Sequence, residues 1–150
     1  MTIHIANTDS EIGACYSVMK ELRPDIAEQT FVQKVRELQK FGYQLAYLEV
    51  SGRPVAVAGY RISESLAWKR YLYVDDLVTL ANVRSKGYGS MLLQWLTDLA
   101  SREGCEQFHL DSGVQRKDAH RFYEREGLQL PAYHFAKNVT PNPASGKETR

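Results

Sequence analysis

The segment 84–89, Arg-Ser-Lys-Gly-Tyr-Gly, carries the residue types that best suit binding of an anion. It lies directly before a stretch with helical periodicity. The first N–H groups of a helix have no partner inside the helix, and the helix dipole adds positive potential there. Gly87 and Gly89 lack a Cβ atom, so a phosphate group can approach the backbone closely. The spacing predicts a phosphate-binding loop, and an ordinary turn between a strand and a helix is the alternative.

Two common phosphate-binding motifs are excluded by their spacing. The segment does not end in Gly-Lys-Ser/Thr, so it is not a P-loop. It also lacks the Gly-x-Gly-x-x-Gly spacing of a dinucleotide-binding fold. The pattern that remains is Arg-x-x-Gly-x-Gly after a strand.

Two adjacent carboxylates, Asp75 and Asp76, interrupt the apolar, strand-like run 71–80. A carboxylate in such a position can accept a proton from a nucleophile. It can equally be held by backbone amides or by a nearby Lys or Arg. Because side chains alternate along a strand, we expect the two carboxylates to point to opposite faces, so that only one of them reaches a substrate.

The elements that must position these groups follow from periodicity and turn residues. The predicted strands cover residues 2–6, 43–50, 55–62, 71–80, 107–111 and 132–139. The predicted helices cover residues 11–22, 31–41 and 117–126, with another between the glycine segment and Gly104. The order β-α-α-β-β-β-α-β-α-β predicts an α/β domain with a mixed sheet, a meander in its first half and helical crossovers in its second.

Caps and buried faces are also predicted. Residues 7–10 offer N-cap candidates for the first helix, and Thr30 is the predicted cap of the second. The small residues Ala56, Ala58 and Gly59 predict close packing against their strand. The predicted inward helical residues are Ile12, Cys15, Tyr16, Met19, Leu22, Phe31, Val35, Leu38, Phe41, Met91, Leu92, Trp95, Leu96 and Leu99.

Composition indicates one soluble domain. The chain has 150 residues, of which 43% are hydrophobic and 25% charged, with a net charge of +1 that favours neither nucleic acid nor an anionic membrane. No apolar run approaches about 18 residues, the length of a membrane span. Cys15 and Cys105 are not clustered, which predicts neither a disulfide framework nor a metal site. No secretory leader is visible, so cytoplasm is the expected compartment. We expect a domain over residues 1–139 and a disordered tail over 140–150.

A second motif identifies a family resemblance. Residues 119–128, Ala-His-Arg-Phe-Tyr-Glu-Arg-Glu-Gly-Leu, resemble the Ala-x-x-Phe-Tyr-x-x-x-Gly-Phe segment of the GCN5-related N-acetyltransferase (GNAT) superfamily. Segment 84–89 resembles the acetyl-CoA pyrophosphate loop of the same superfamily, and it comes first in the chain, as expected. The resemblance covers residues 2–139. It implies the acetyltransferase fold, with a mixed central sheet that is splayed between its fourth and fifth strands and flanked by helices.

The resemblance implies acetyl-CoA as co-substrate and no metal. Its pantetheine would enter the gap between the strand of Leu77 and the strand of Leu110, and its pyrophosphate would lie on the amides of residues 84–90. Exposed basic side chains would meet the 3′-phosphate. The implied cofactor-binding residues are Leu77, Val78, Thr79, Arg84, Ser85, Lys86, Gly87, Tyr88, Gly89, Ser90, Arg116, Phe122 and Tyr123.

The resemblance also implies catalytic roles. Tyr123 matches the tyrosine that bonds the CoA sulfur and acts as general acid, although a core tyrosine is the alternative interpretation. Asp75 and Asp76 are the candidate bases, acting directly or through water, and Asp111 is a further candidate. A backbone N–H near Leu77 would stabilise the oxyanion. In one departure from the family, Arg116 stands where an asparagine often contacts the cofactor.

The predicted function is transfer of the acetyl group of acetyl-CoA to a primary amine by direct attack. The acceptor would be a small molecule or a peptide, and its site would be built from residues 22–30 and 130–134. The candidates to line it are Tyr16, Phe31, Tyr73, Tyr133 and His134, with packing in the core or on the surface as the alternative for each. The alternative is a non-catalytic acyl-CoA sensor or interaction module. The net charge of +1 disfavours a nucleic-acid binder. The resemblance implies that a homodimer could form, with the last strand as its pairing edge.

Overall fold

The computed structural model describes residues 1–143, and residues 144–150 of the predicted tail lie outside them. The strands are β1 (Thr2–Ile5), β2 (Tyr43–Val50), β3 (Arg53–Ser65), β4 (Lys69–Thr79) and β5 (Gln107–Leu110). The helices are α1 (Asp9–Ala14), α2 (Tyr16–Leu22), α3 (Glu28–Gln39), α4 (Tyr88–Arg102) and α5 (Lys117–Arg125), with a 3-10 helix over Ala81–Lys86. The contacts divide the chain into two compact units, Met1–Gly113 and the residues from Val114 onward.

The sheet lies in the first unit and has the order β1-β2-β3-β4-β5. The pairs from β1 to β4 are antiparallel, and β4 pairs with β5 in parallel. The predicted mixed α/β fold, with a meander followed by a helical crossover, is therefore confirmed. The parallel pairing runs only from Tyr71, opposite Gln107, to Val74, opposite Leu110. Residues 75–79 of β4 continue without a β5 partner, as the predicted splay requires.

Each face of the sheet has its own buried core. Leu45, Val57 and their neighbours pack against α1, α2 and α3. Ala46 and Leu48, which alternate with them along β2, pack against α4 on the opposite face. This alternation is the period-2 pattern of a strand buried on both sides. The helices therefore flank the sheet on both faces.

The first predicted helix is two helices. Thr8 caps α1 in a capping box with Glu11, which confirms one of the predicted cap candidates. The chain turns at Cys15, whose N–H bonds to Ile12 only three residues back, so the last turn of α1 tightens and α2 starts afresh. Met19 is buried as predicted.

Helix α3 begins earlier than predicted. Its N-cap is Ala27, in an extended conformation, and Thr30 lies in the first turn, where its hydroxyl donates to the Ala27 carbonyl. The prediction of Thr30 as the cap is thus wrong, because a threonine inside the turn bonds backwards instead of capping. Phe41 lies beyond the helix with 78% of its surface exposed, and Leu38 is 39% exposed, so neither belongs to the buried face, contrary to prediction.

The predicted glycine loop is shorter than expected. Gly87 has φ +81 and is the N-cap of α4, whereas Gly89 lies inside α4. The buried face of α4 is formed by Leu92, Leu93, Leu96, Leu99 and Ala100. Met91 is 40% exposed and so does not belong to that face, contrary to prediction.

The predicted last strand does not form. Residues 129–142 contain neither helix nor strand, and Tyr133, Phe135 and Val139 are each more than 70% exposed. An alternating sequence becomes a strand only when a neighbouring edge pairs with it, and no strand of the described chain does so. Residues 132–139 therefore do not form the strand edge through which a homodimer was predicted to pair. None of the helices in residues 1–143 is long and apolar enough to cross a membrane.

Candidate functional site

The open edge of β4 is the first feature of the site. Residues 76–79 pair with β3 on one side, and residues 75–79 pair with no described strand on the other. Val78 is buried in one core and Leu77 packs against the other, so the strand itself is held firmly. Main-chain N–H and C=O groups that lack a neighbouring strand are a template for an extended ligand.

A β-bulge lies where this edge begins. Gly59 is opposite Asp76 while Tyr60 is opposite Val74, so Asp75 is the extra residue of β4. The bulge resets the alternation, since two consecutive residues oppose one on the partner strand. Asp75 contacts Arg61 and Asp76 contacts Tyr43, side chains on the face away from α4. The expectation that the carboxylates point to opposite faces is therefore wrong.

Asp76 is held by two donors. Arg23 Nε donates to Oδ1 and the Tyr43 hydroxyl donates to Oδ2, each at 2.8 Å. Tyr43 is almost fully buried, and burial, followed by the charge of Asp76, raises the pKa of its phenol well above the ordinary value. A Cβ at Gly59 would lie 1.9 Å from the Tyr43 hydroxyl oxygen. The close packing predicted for this strand is thus confirmed at Gly59, where only glycine fits.

Asp75 is held by a two-bond guanidinium contact. Arg61 donates from Nε and Nη2 to the two carboxylate oxygens at 2.8 and 2.9 Å. Arg23 Nη2 donates to the Asp75 carbonyl at 3.1 Å, so it joins both aspartates. All four carboxylate oxygens therefore accept a hydrogen bond from an arginine or a tyrosine. The role of either aspartate as a base remains a prediction.

Tyr73 and Asp111 form a second hydroxyl–carboxylate contact, in addition to that of Tyr43 and Asp76. The Arg61 guanidinium lies 5.4 Å from the centre of the Tyr73 ring, and the Tyr73 hydroxyl donates to the carboxylate of Asp111. Burial, followed by this bond, raises the pKa of Tyr73. The contacts extend from Asp111 at the end of β5 to Tyr43 on β2, across the mouth of the splay.

Ser112 follows directly after Asp111. Its hydroxyl is buried and has no hydrogen-bond partner within the described part of the chain. A buried hydroxyl without a partner is destabilising by about 1–3 kcal/mol, so such groups commonly bond a ligand or water. This atom marks the end of β5 as polar and enclosed.

The start of α4 is the second feature of the site. Met91 donates the first intrahelical bond to Gly87, so the N–H groups of Tyr88 and Gly89 precede the helical ladder. Arg84 is exposed and its Nε donates to the Thr79 carbonyl at 3.3 Å, which ties the 3-10 turn to the end of β4. Ser85 and Lys86 are exposed as well. The geometry suits an anion on the helix terminus.

Three of the predicted residues lie in the second unit. Phe122 and Tyr123 lie on α5 with their rings in an edge contact at 5.4 Å, and Arg116 immediately precedes the helix. Burial raises the pKa of the Tyr123 phenol, and Arg116 partly opposes this effect. Tyr123 is therefore protonated at neutral pH, which is the form that a general acid requires.

Two predicted acceptor-lining residues belong to the core instead. Phe31 is 3% exposed and makes an edge contact with Tyr16, whose hydroxyl donates to the Ile26 carbonyl. Their helical spacing makes them packing residues. Tyr133 and His134 are exposed in the second unit.

Sequence reasoning missed Tyr43, Arg23 and Arg61. The only signal for Tyr43 was the small size of Gly59. Arg23 lies 52 and 53 residues before its partners, and nothing local links them. Within residues 1–143, no group of three or more His, Cys, Asp or Glu side chains is arranged to hold a metal.

Comparison with known proteins gives consistent results. The Acetyltransferase (GNAT) family matches residues 10–128. An uncharacterized N-acetyltransferase of Bacillus subtilis, YhdJ, is 38% identical over 141 residues, which cover 91% of this chain and 99% of that protein. The aminoalkylphosphonate N-acetyltransferase of Salmonella typhimurium is 39% identical over 64 residues, which cover 43% of this chain and 42% of that protein. The structure of the aminoglycoside N-acetyltransferase AAC(6′)-Iy in complex with CoA shares the fold, with a TM-score of 0.78 and 13% identity over 92% of this chain and 95% of that one.

Proposed function

The chain belongs to the acetyltransferase (GNAT) family, and on this premise we propose that it transfers an acetyl group from acetyl-CoA to the primary amine of a small molecule or peptide. The observation that carries the proposal is the open edge of β4, which leads from the bulge at Asp75 to the start of α4 at Gly87. An extended ligand arm on that edge would bring an attached phosphate group to the helix terminus.

The residues present fit acetyl-CoA. Backbone groups of Leu77, Val78 and Thr79 would bond the pantetheine amides as an added strand does. Residues 84–90 would hold the pyrophosphate on exposed basic side chains and helix N–H groups. The buried Ser112 hydroxyl supplies a further polar contact at the same mouth. Arg116 and Phe122 are proposed cofactor contacts from the second unit, by analogy with the family motif.

The proposed reaction is an acyl transfer from the CoA sulfur to the amine nitrogen. Bound acetyl-CoA supplies an acetyl group activated as a thioester. The amine nitrogen bonds the acetyl carbon and the carbon–sulfur bond breaks. A backbone N–H of Leu77 or Val78 donates to the thioester oxygen. Asp75 or Asp76 accepts the amine proton, directly or through water, and the Tyr123 hydroxyl donates a proton to the sulfur.

Binding is tested by the effect of acetyl-CoA on thermal unfolding. At about 100 times its dissociation constant, the ligand stabilises the folded state by about 2.7 kcal/mol. The Gly87→Ala variant should lose most of this shift. Gly104→Ala is the matched control, because both glycines have positive φ and open surroundings, and Gly104 lies at the other end of α4. An absence of any shift in the wild type at millimolar acetyl-CoA would refute the proposal.

Catalysis is tested by the Tyr123→Phe variant. General acid catalysis contributes about 100- to 10,000-fold, so kcat should fall in that range while acetyl-CoA affinity changes little. Release of CoA with a panel of amines is the measurement. An unchanged kcat would remove Tyr123 as the acid and would leave cofactor binding untouched.

A non-catalytic acyl-CoA sensor is the second candidate. The observation that favours it is that every oxygen of Asp75 and Asp76 already accepts a hydrogen bond. A sensor would bind acetyl-CoA and release no CoA with any amine. Among acceptors, an aminoalkylphosphonate is one candidate, from the name of the Salmonella relative. A cytoplasmic location, a homodimer and independence from metals and nucleic acid remain predictions.

A further inference from the structure

Two arginines are anchored to the aspartates at the bulge of β4. Arg23 extends from the end of α2 and Arg61 from β3, and each uses Nε and Nη2 to bond the aspartates at the bulge. Within the described residues, Nη1 of each guanidinium makes no hydrogen bond. The two side chains are 45% and 40% exposed. Each anchored guanidinium therefore keeps one terminal nitrogen for a partner from outside.

This arrangement is typical of a preorganised oxyanion receptor. A guanidinium loses side-chain entropy when it binds an anion, and the bonds to Asp75 and Asp76 have already restricted that freedom. Arg61 is restrained further, since its guanidinium lies over the Tyr73 ring. Bonds between arginine and carboxylate or phosphate oxygens are about twice as strong as neutral hydrogen bonds.

The charges of the cluster also restrict the ligand. Arg23, Arg61, Asp75 and Asp76 bring two positive and two negative charges to one face. A ligand with an ammonium group and an anionic group complements both signs, whereas a simple cation or anion complements only one. The Asp76 side chain is only 13% exposed, so the arginines are the more accessible charges.

We propose that Arg23 and Arg61 bind an oxyanion carried by the acceptor, so that the acceptor is a small amine that also bears a carboxylate, phosphonate or phosphate. This inference rests on the proposed function, because the arginines bond Asp75 and Asp76, which directly precede Leu77, whose backbone would contact the thioester. Asp75 and Asp76 then also position the arginines, in addition to the proton-acceptor role proposed for one of them.

The first test compares three acceptors that differ only in the group beyond the amine: β-alanine, 2-aminoethylphosphonate and β-alaninamide. The two acceptors with an anionic group should show kcat/KM values about 10- to 100-fold above that of the amide, because charge-assisted bonds contribute on that scale. The ratio of the first two distinguishes a carboxylate from a phosphonate. Equal values for all three acceptors would overturn the inference.

The second test substitutes the arginine. Arg61→Gln should raise KM for the two acceptors with an anionic group far more than KM for the amide, and should so abolish the preference over the amide. Arg61→Lys keeps the charge but loses the two-bond contact, and should remove much of the preference even if the glutamine variant is unstable. Arg36→Gln is the control, since Arg36 on α3 is 39% exposed and bonded to Asp9 in a comparable ion pair. An equal loss with all three acceptors in either Arg61 variant would contradict the assignment.

Direct binding of methylphosphonate, a probe without an amine, separates this inference from the proposed function. Binding to the wild type that Arg61→Lys weakens supports the inference even if no acceptor is acetylated. Release of CoA from amines without such binding would support the acetyltransferase proposal and overturn the anion site.

Discussion

The two halves of β4 have opposite properties. The half up to Val74 is paired with β3 on one side and β5 on the other, and Leu72 within it is fully buried. The half from Asp75 to Thr79 is paired on one side only and begins with a bulge and two ion-paired carboxylates. One strand thus joins a structural segment to a segment with main-chain groups available for a ligand.

This sheet combines stability with an open edge. An exposed strand edge is normally prone to aggregation. Here its residues remain anchored by Val78 in one core and Leu77 in the other. The bulge and the network around Asp76 hold the strand where it leaves β5. Stability and ligand binding should therefore respond separately to substitutions in the two halves.

The largest expected effect is on the paired half. Leu72→Ala should lower the free energy of unfolding by about 2–5 kcal/mol, because it removes a fully buried side chain and leaves a cavity. Acetyl-CoA affinity, measured well below the melting temperature, should stay near that of the wild type. Leu38→Ala is the control, since Leu38 on α3 is 39% exposed. A loss of unfolding free energy in Leu72→Ala no larger than that in Leu38→Ala would contradict the structural role of the paired half. Urea unfolding measures both variants.

The next effect concerns the bulge. Gly59→Ala should destabilise by about 1–3 kcal/mol, because its methyl group would overlap the Tyr43 hydroxyl and displace Asp76. It should also weaken acetyl-CoA binding, unlike the substitution at Leu72. Gly13→Ala is the matched control, since a Cβ there would meet Val32 at an ordinary 3.6 Å inside a helix. Calorimetry of both variants, with and without acetyl-CoA, gives the result. Equal stability of the two would mean that Tyr43 moves away without cost.

A smaller effect is expected at the end of β5. Ser112→Ala should leave unliganded stability unchanged or slightly higher, because it removes a buried hydroxyl without a partner. Acetyl-CoA affinity should fall about 3- to 10-fold, the loss of one ordinary hydrogen bond. Ser101→Ala, at an exposed position of α4, is the control for titration calorimetry. An unchanged affinity in Ser112→Ala would show that the hydroxyl does not contact the cofactor.

The smallest expected effect is a pH dependence of folding stability that arises from the paired half. His109 on β5 stacks on Trp68 and bonds Gln107, and burial lowers its pKa although Asp111 opposes the shift. The unfolded chain therefore binds more protons than the folded one just below the ordinary value of 6.5, so stability rises with pH there. The contribution is complete above that value and is lost as pH falls through the folded pKa. The free energy of unfolding, measured with urea from pH 5 to 8, should change less with pH in His109→Gln than in the wild type. An identical pH dependence in the two proteins would contradict the role of His109.

Local patterns predicted most of the fold. The pattern of Tyr43–Val50 predicts β2 to the residue, and Thr8, the observed cap of α1, is one of four predicted cap candidates. Prediction failed where distant contacts decide the outcome. The alternation over 132–139 predicted a strand that has no partner, and the pattern of α4 predicted a buried Met91 that is exposed.

The sequence by itself determined the family and the order of the strands from β1 to β5, and it predicted a phosphate-binding segment, because each depends on residues close together in the chain. Only the tertiary structure decided that Asp75 and Asp76 share a face, since the bulge arises from the register between β3 and β4. It also decided that Arg23 reaches them across more than fifty residues. Strand register and ion pairs between distant segments form only when the whole sheet and its helices pack together, so no local pattern encodes them.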